Sequence, residues 1–296
     1  MNRQFTSLKR FFPQIAGSSH RYNQTAPSYD LLDATQNCER RSDRSSNTQS
    51  VGNPIPTQKP LANKRWDQLL QPKVKALLVD AAGTLLSPSE PAAEVYLRYG
   101  KKYGVKLDAR EVLLRYREAY NTPWGQSTLR YVDDGRPFWK SIVSYATNCN
   151  NEDLFEEIYE YYAQGDAWSV SPGAVEALHR IKTELNLKTA VVSNFDTRLR
   201  RIMHELGLSK VFDAIIVSAE VGAEKPNPIL FEAACDALGV ETSAAVHVGD
   251  DRRNDLYGAR DAGCFAWLWG ADVHNFAEVE RRLESGNMFG DSVSGV

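Results

Sequence analysis

Apolar residues run unbroken only in short bursts along this chain, and the bursts are separated by stretches with helical spacing. "VKALLVD" (74–80), "KTAVVSN" (188–194), "VFDAIIVS" (211–218), "AAVHVGD" (244–250) and "CFAWLWG" (264–270) each read as a strand buried on both faces. Between the later bursts lie "SPGAVEALHRIKTEL", entered through Ser171-Pro172, "TRLRRIMHELGL", closed by Gly207, "PNPILFEAACDALGV" and "NDLYGARDAG". Their apolar positions recur at three and four residues, the mark of amphipathic helices. Strands alternating with helices predict an α/β fold with a parallel sheet covered on both faces. The first strand departs from this rhythm. Four helical patterns follow it, in "PAAEVYLRYGKKYGV", "AREVLLRYREAY", "PFWKSIVSYATN" and "EDLFEEIYEYYAQ", which predict an inserted helical subdomain over 89–168. The α/β core is then expected over 71–88 and 169–285, with a tail at 286–296.

The first 70 residues have another texture. They carry 10 Lys/Arg and 5 Asp/Glu, whereas the remainder carries 25 and 33, so the overall net charge of −3 hides two opposite balances. Residues 1–29 contain Arg3, Lys9, Arg10 and Arg21 and no acidic residue, with Phe5, Leu8, Phe12 and Ile15 at near-helical spacing. That is the composition of an organellar transit peptide, and it lacks the apolar core of a secretory signal. The expectation is import into a chloroplast, with a mitochondrion or a cytosolic tail as alternatives. The polar stretch up to residue 70 is expected to be disordered.

The acidic balance of the rest offers no basic stripe for nucleic acid. No stretch has the roughly 18 apolar residues of a membrane span. The four cysteines, Cys38, Cys149, Cys235 and Cys264, show no metal spacing and read as reduced thiols.

In parallel sheets the ligand site lies beyond the strands' carboxyl ends. There the sequence places Asp80, Ser193-Asn194, Asp250-Asp251 and, after a short loop, Lys225. Carboxylates with one lysine and one hydroxyl make a site for a hard cation and an anionic substrate.

Four motifs in this order, "LLVDAAGTLL", "AVVSNFD", "EVGAEKPNP" and "VHVGDDRRNDLYGARDAG", resemble the haloacid dehalogenase superfamily of hydrolases over residues 74 to 270. The resemblance implies a Rossmann-like core with a helical cap. It makes Asp80 the nucleophile, with Ser193 and Lys225 completing the catalytic set. Mg²⁺ would be held by Asp80, the backbone carbonyl of Ala82, Asp250 and, through water, Asp255, with Asp251 and Asn254 supporting these ligands. The amides of residues 81–84, including Gly83 and Thr84, together with Asn194, would bind the phosphoryl group of a small phosphorylated molecule.

The chain departs from the pattern at Ala82, where most phosphatases of the family carry an Asp that protonates the leaving group. Losing such an acid typically costs on the order of 10²–10⁴ in rate. Three readings stand: a phosphatase forming an aspartyl-phosphate, whose leaving group (acyl or activated aryl) departs unaided; a weakly active or inactive binding protein; and a phosphonatase or dehalogenase. The phosphonatases share Asp-x-Ala-Gly-Thr but use a cap lysine, and Lys101, Lys102, Lys106 and Lys140 all read as surface residues. Trp124, Phe138, Trp139 and Trp168 read first as cap core, with a pocket lining as the alternative. His247 reads as a core residue, and Arg252-Arg253 as a solvated helix start.

Overall fold

The computed structural model describes residues 74–124, 129–286 and 288. The organellar-import reading of residues 1–70 lies outside the described residues.

Five strands form one parallel sheet: β1 (Ala76–Val79), β4 (Lys188–Ser193), β5 (Ala214–Val217), β6 (Ala245–Gly249) and β7 (Phe265–Leu268). Their spatial order is β5-β4-β1-β6-β7, so the first strand is central. Val79 pairs with Val191 on one side and Val248 on the other. All four residues of β1 are fully buried, as an unbroken apolar run requires. Leu77 and Val79 face one layer of helices, while Ala76 and Leu78 face the other. On the Leu77 side pack α5 (Ala174–Thr183), α6 (Arg198–Glu205) and α10 (Phe276–Ser285). On the Leu78 side pack α8 (Pro228–Leu238) and α9 (Gly258–Asp261); the short helix α7 (Ser218–Val221) follows β5. This is the α/β architecture expected from the alternation of patterns.

The inserted segment holds α1 (Ala92–Gly100), α2 (Ala109–Asn121), α3 (Arg136–Thr147) and α4 (Glu152–Tyr161). Asp108 opens α2 with a reciprocal capping box to Glu111, and Asn151 caps α4. The four helices enclose a core of their own, with Tyr96, Val112, Phe155 and Ile158 at its centre.

Two features differ from the sequence patterns. A two-stranded antiparallel ribbon, β2 (Leu86–Pro88) with β3 (Trp168–Val170), joins the ends of the inserted segment. Three-residue strands are too short to show alternation. The helix expected over Asn254–Gly263 begins as a widened π turn, Arg252–Tyr257, before continuing as α9.

Candidate active site

The central position of β1 puts its carboxyl end between those of β4 and β6, and three loops meet there. Asp80 follows β1, Ser193 ends β4, and Asp250 follows β6. Lys225, in the loop before α8, reaches the same point and is 4% exposed. Its ammonium donates to Asp80 Oδ1 at 2.6 Å, to Asp255 Oδ1 at 2.6 Å and to the Val192 carbonyl at 2.9 Å. All three ammonium protons are thereby engaged. Ser193 Oγ donates to Asp80 Oδ1 at 3.2 Å. The hydroxyl therefore serves the site and does not cap the following helix, whose first residue is Arg198.

Carboxylate oxygens of Asp80, Asp250 and Asp255 lie within 4.8 Å of one another. Burial and the neighbouring Asp255 push Asp80 up to about 6, against the pull of Lys225. Burial, Asp80 and Asp255 hold Asp250 well above the carboxylate range. Asp255 goes the other way: burial alone would raise it, but Lys225 and His247 outweigh burial and lower it. Burial alone would likewise lower Lys225, but Asp255 and Asp80 hold it above the ordinary lysine value. One buried cation thus faces three carboxylates, a donor set that suits a divalent cation.

The two oxygens of Asp255 are already engaged. Oδ1 accepts from Lys225 and lies 2.9 Å from His247 Nε2, while Oδ2 accepts from the Asp251 N–H at 2.9 Å. That leaves Asp80 and Asp250 as the carboxylates that could ligate a cation directly. Asp251 Oδ1 also accepts from the N–H groups of Arg253 and Asn254, which builds the π turn.

Glycines set how close these loops come. A Cβ on Gly83 would lie 2.5 Å from Asp250 Oδ2, and one on Gly249 would lie 2.2 Å from the Asp255 carboxyl carbon. Gly83 also has φ of 100°, in the region that favours glycine.

The residues expected to bind substrate divide. Gly83 does not offer its amide: that N–H donates to the Leu86 carbonyl at 2.8 Å and closes the turn. The Thr84 N–H makes a longer bond, 3.4 Å, to the Ala81 carbonyl, but Thr84 Oγ1 is buried without a partner. Asn194 is turned to Lys225: Oδ1 accepts from its N–H and Nδ2 donates to its carbonyl, so Asn194 braces the lysine loop.

Above Ala82 the four inserted helices and the sheet enclose a cavity of about 70 Å³. Trp139 and Trp168 line it with several tyrosines and Phe195, and Ala82 forms part of its wall. Phe138, by contrast, is core, with Trp124 packed edge-on at 5.4 Å. Lys101, Lys102, Lys106 and Lys140 are all exposed, and none lines the cavity. Arg252 and Arg253 are exposed, as expected. His247 is fully buried against Phe231, also as expected; its hydrogen bond to Asp255 was not read from the sequence. Burial lowers the His247 pKa, against the pull of Asp255, which raises it.

Two carboxylates that the sequence patterns did not single out tie the inserted helices to the sheet. Asp196, fully buried, accepts from Trp139 Nε1 at 2.8 Å and pairs with Arg198 at 2.8 and 2.7 Å. The Arg198 guanidinium also donates to the Tyr159 carbonyl at 3.0 Å. Glu224 accepts from the N–H groups of Arg130 and Tyr131. The signal for Asp196 was its place in "SNFD", two residues beyond Asn194.

Comparison with known proteins agrees with this geometry. The family of haloacid dehalogenase-like hydrolases matches residues 74–263. Haloacid dehalogenase-like hydrolase domain-containing protein 3 of Mus musculus is 30% identical over 206 residues, covering 66% of this chain and 82% of its own length. Glyceraldehyde 3-phosphate phosphatase of Methanopyrus kandleri is 29% identical over 204 residues, covering 64% of this chain and 81% of its own. A solved HAD phosphatase from Thermococcus onnurineus shares the fold, with a TM-score of 0.53 at 24% identity over 73% of this chain and 100% of that one. With its four strand-end motifs converged on one buried lysine, this chain belongs to the haloacid dehalogenase-like hydrolases.

Proposed function

We propose that the chain is a Mg²⁺-dependent phosphatase that acts on a small phosphorylated molecule through an aspartyl-phosphate on Asp80. The observation that carries this reading is the buried Lys225 ammonium bridging Asp80 and Asp255 beside Asp250. The phosphatase name of the Methanopyrus relative supports it.

Lys225 and Ser193 both engage Asp80 Oδ1, which fixes the carboxylate and leaves Oδ2 to face a substrate. A bound Mg²⁺ would offset the repulsion between these carboxylates and a phosphate dianion, held by Asp80, Asp250 and the Ala82 carbonyl. The unpartnered Thr84 hydroxyl suits a phosphoryl oxygen. Asp80 attacks phosphorus, the bond to the leaving oxygen breaks, and that oxygen departs with the electron pair. Water then attacks the phosphorus of the acyl phosphate, its proton passes to solvent, and Asp80 is regenerated with release of inorganic phosphate. Ala82 offers no proton at either step.

A second reading, a binding protein with little turnover, is favoured by Ala82 alone. The phosphonatase reading finds no lysine lining the cavity among the described residues. The test is hydrolysis of acetyl phosphate and p-nitrophenyl phosphate with and without Mg²⁺. Turnover that requires Mg²⁺ and vanishes in Asp80→Asn supports the phosphatase. Equal rates in wild type and Asp80→Asn would favour the binding protein. For residues 1–70 we retain chloroplast import as the proposal, tested by fusing them to a fluorescent reporter; a diffuse cytosolic signal would overturn it.

A further inference from the structure

We infer that the cavity beside Ala82 holds the leaving group of an aryl phosphate: one planar ring bearing a hydrogen-bonding substituent. The inference rests on the phosphatase reading above and names its substrate class.

Three independent observations meet here. The first is size. A cavity that holds benzene measures roughly 150 Å³, so at about 70 Å³ this one has no room for a group larger than a single ring.

The second is the chemistry of the wall. Tyr131, Trp168 and Phe195 form a continuous aromatic surface, with Tyr131 stacked on Phe195 at 6.4 Å and Trp168 edge-on to Phe195 at 5.7 Å. Rings of this kind favour another ring in offset or edge contact. Several polar groups on the wall are already engaged with protein. The Tyr120 and Tyr131 hydroxyls bond each other at 3.1 Å, and Tyr159 Oη donates to the Asp134 carbonyl at 2.7 Å. Trp139 Nε1 and the Arg198 guanidinium are both held by Asp196. The cation on the wall is thus neutralised, so nothing there attracts a second phosphate or a carboxylate. A sugar would lose the water around its hydroxyls and gain few partners in return. The Tyr96 and Tyr116 hydroxyls on this wall have no hydrogen bond to the protein, and that of Tyr162 is buried there without a partner. The Tyr162 hydroxyl matches one hydroxyl, carbonyl or amide on the ring.

The third is Ala82, which belongs to both the nucleophile loop and the cavity wall. A phenol-type oxygen has a pKa near 10, so it departs as the anion with no proton donor, whereas an alkoxide does not. Asp80 forms the bond to phosphorus, the phosphorus–aryl oxygen bond breaks, and the phenolate leaves into the cavity and later takes a proton from water. The residue that withholds the acid also opens space for the group that does not need one.

The experiment compares phenyl phosphate with acetyl phosphate (a good leaving group without a ring), benzyl phosphate (a ring on a poor leaving group) and glycerol 3-phosphate, using the full chain with Mg²⁺. Expected are a KM for phenyl phosphate about tenfold below that of acetyl phosphate, and a kcat about 100-fold above that of benzyl phosphate. Tyr162→Phe is expected to lower kcat/KM about tenfold for at least one of the three hydroxyphenyl phosphates, more than for phenyl phosphate. In parallel, phenol is titrated into Asp80→Asn while tryptophan fluorescence is followed, and saturable quenching is expected. Turnover without preference for a ring, and without quenching, would overturn the aryl site and leave the phosphatase standing. Quenching without turnover of any phosphate would overturn the phosphatase, and with it the leaving-group role, while leaving a ring-binding cavity.

Discussion

Asn194 holds Lys225 by its backbone at both ends, accepting from its N–H at 2.7 Å and donating to its carbonyl at 3.0 Å. The pair locks the loop before α8 to the end of β4, and so aims the ammonium at Asp80. Asn194→Ala removes both bonds and is expected to cost about 1–3 kcal/mol. The melting temperature and kcat should fall together. A raised KM with unchanged melting would instead mean that Asn194 contacts substrate.

Lys225→Met keeps the length of the side chain but leaves Asp80 and Asp255 without their cation. Removing one partner of a buried ion pair typically costs about 3–5 kcal/mol. A chain of this size loses roughly 2–4 °C per kcal/mol, so a melting drop of about 10 °C is expected. A drop under about 2 °C would show that the two carboxylates are protonated or hydrated without the lysine.

Asp250 is crowded by burial, Asp80 and Asp255, and all three oppose its charge. Asp250→Asn is expected to raise the melting temperature in EDTA while abolishing any gain from Mg²⁺. In the wild type, saturating Mg²⁺ at about 100 Kd adds about 2.7 kcal/mol, or roughly 5–10 °C. Calorimetry with and without the cation reads both effects. If the variant keeps the Mg²⁺ shift, the cation binds elsewhere.

Burial raises Glu224 above its ordinary value of 4.5, because its carboxylate is enclosed beneath Arg130 and Tyr131. The folded state therefore binds this proton more tightly than the unfolded one. The resulting stability is present below pH 4.5 and is lost as pH rises through the raised folded value. Glu224→Gln keeps the acceptor without the charge. It should match the wild type near pH 4 and melt higher near pH 7.5. Parallel melting curves across that range would remove Glu224 as a titrating site.

Ala82→Asp places a proton donor at the cavity wall. Turnover of alkyl phosphates is expected to rise roughly 100-fold, while a carboxylate against Trp168 and Phe195 weakens binding of a ring. A variant that melts normally, binds Mg²⁺ and gains nothing would show that proton transfer does not limit the rate.

Much of this was legible because parallel strands buried on both faces leave unbroken apolar runs, as in residues 76–79 and 190–192. The convergence of Asp80, Lys225 and Asp250 was legible because each follows such a run at a short offset. The substrate groups were not. Whether Gly83 and Asn194 face a ligand or the backbone depends on where Leu86 and Lys225 come to lie, which no local pattern states. Asp196 meets Trp139 at a separation of 57 positions along the chain, and that distance hides the contact. Trp139 and Phe138 are neighbours on one helix, yet one lines the cavity and the other fills the core. Only the crossing of the helices separates them.

The widened turn over Arg252–Tyr257 acts as a gauge of chain length. Its bonds step back five residues where an α-helix steps back four, and Leu256 N–H reaches the Asp251 carbonyl in this way. The extra residue per turn swings Asp255 inward until it touches the space that only Gly249 leaves free. Deleting one residue between 252 and 254 would restore ordinary helical phase and rotate Asp255 away from Lys225. Side chains at the exposed positions 252 and 253 are free to vary, but the number of residues there is not.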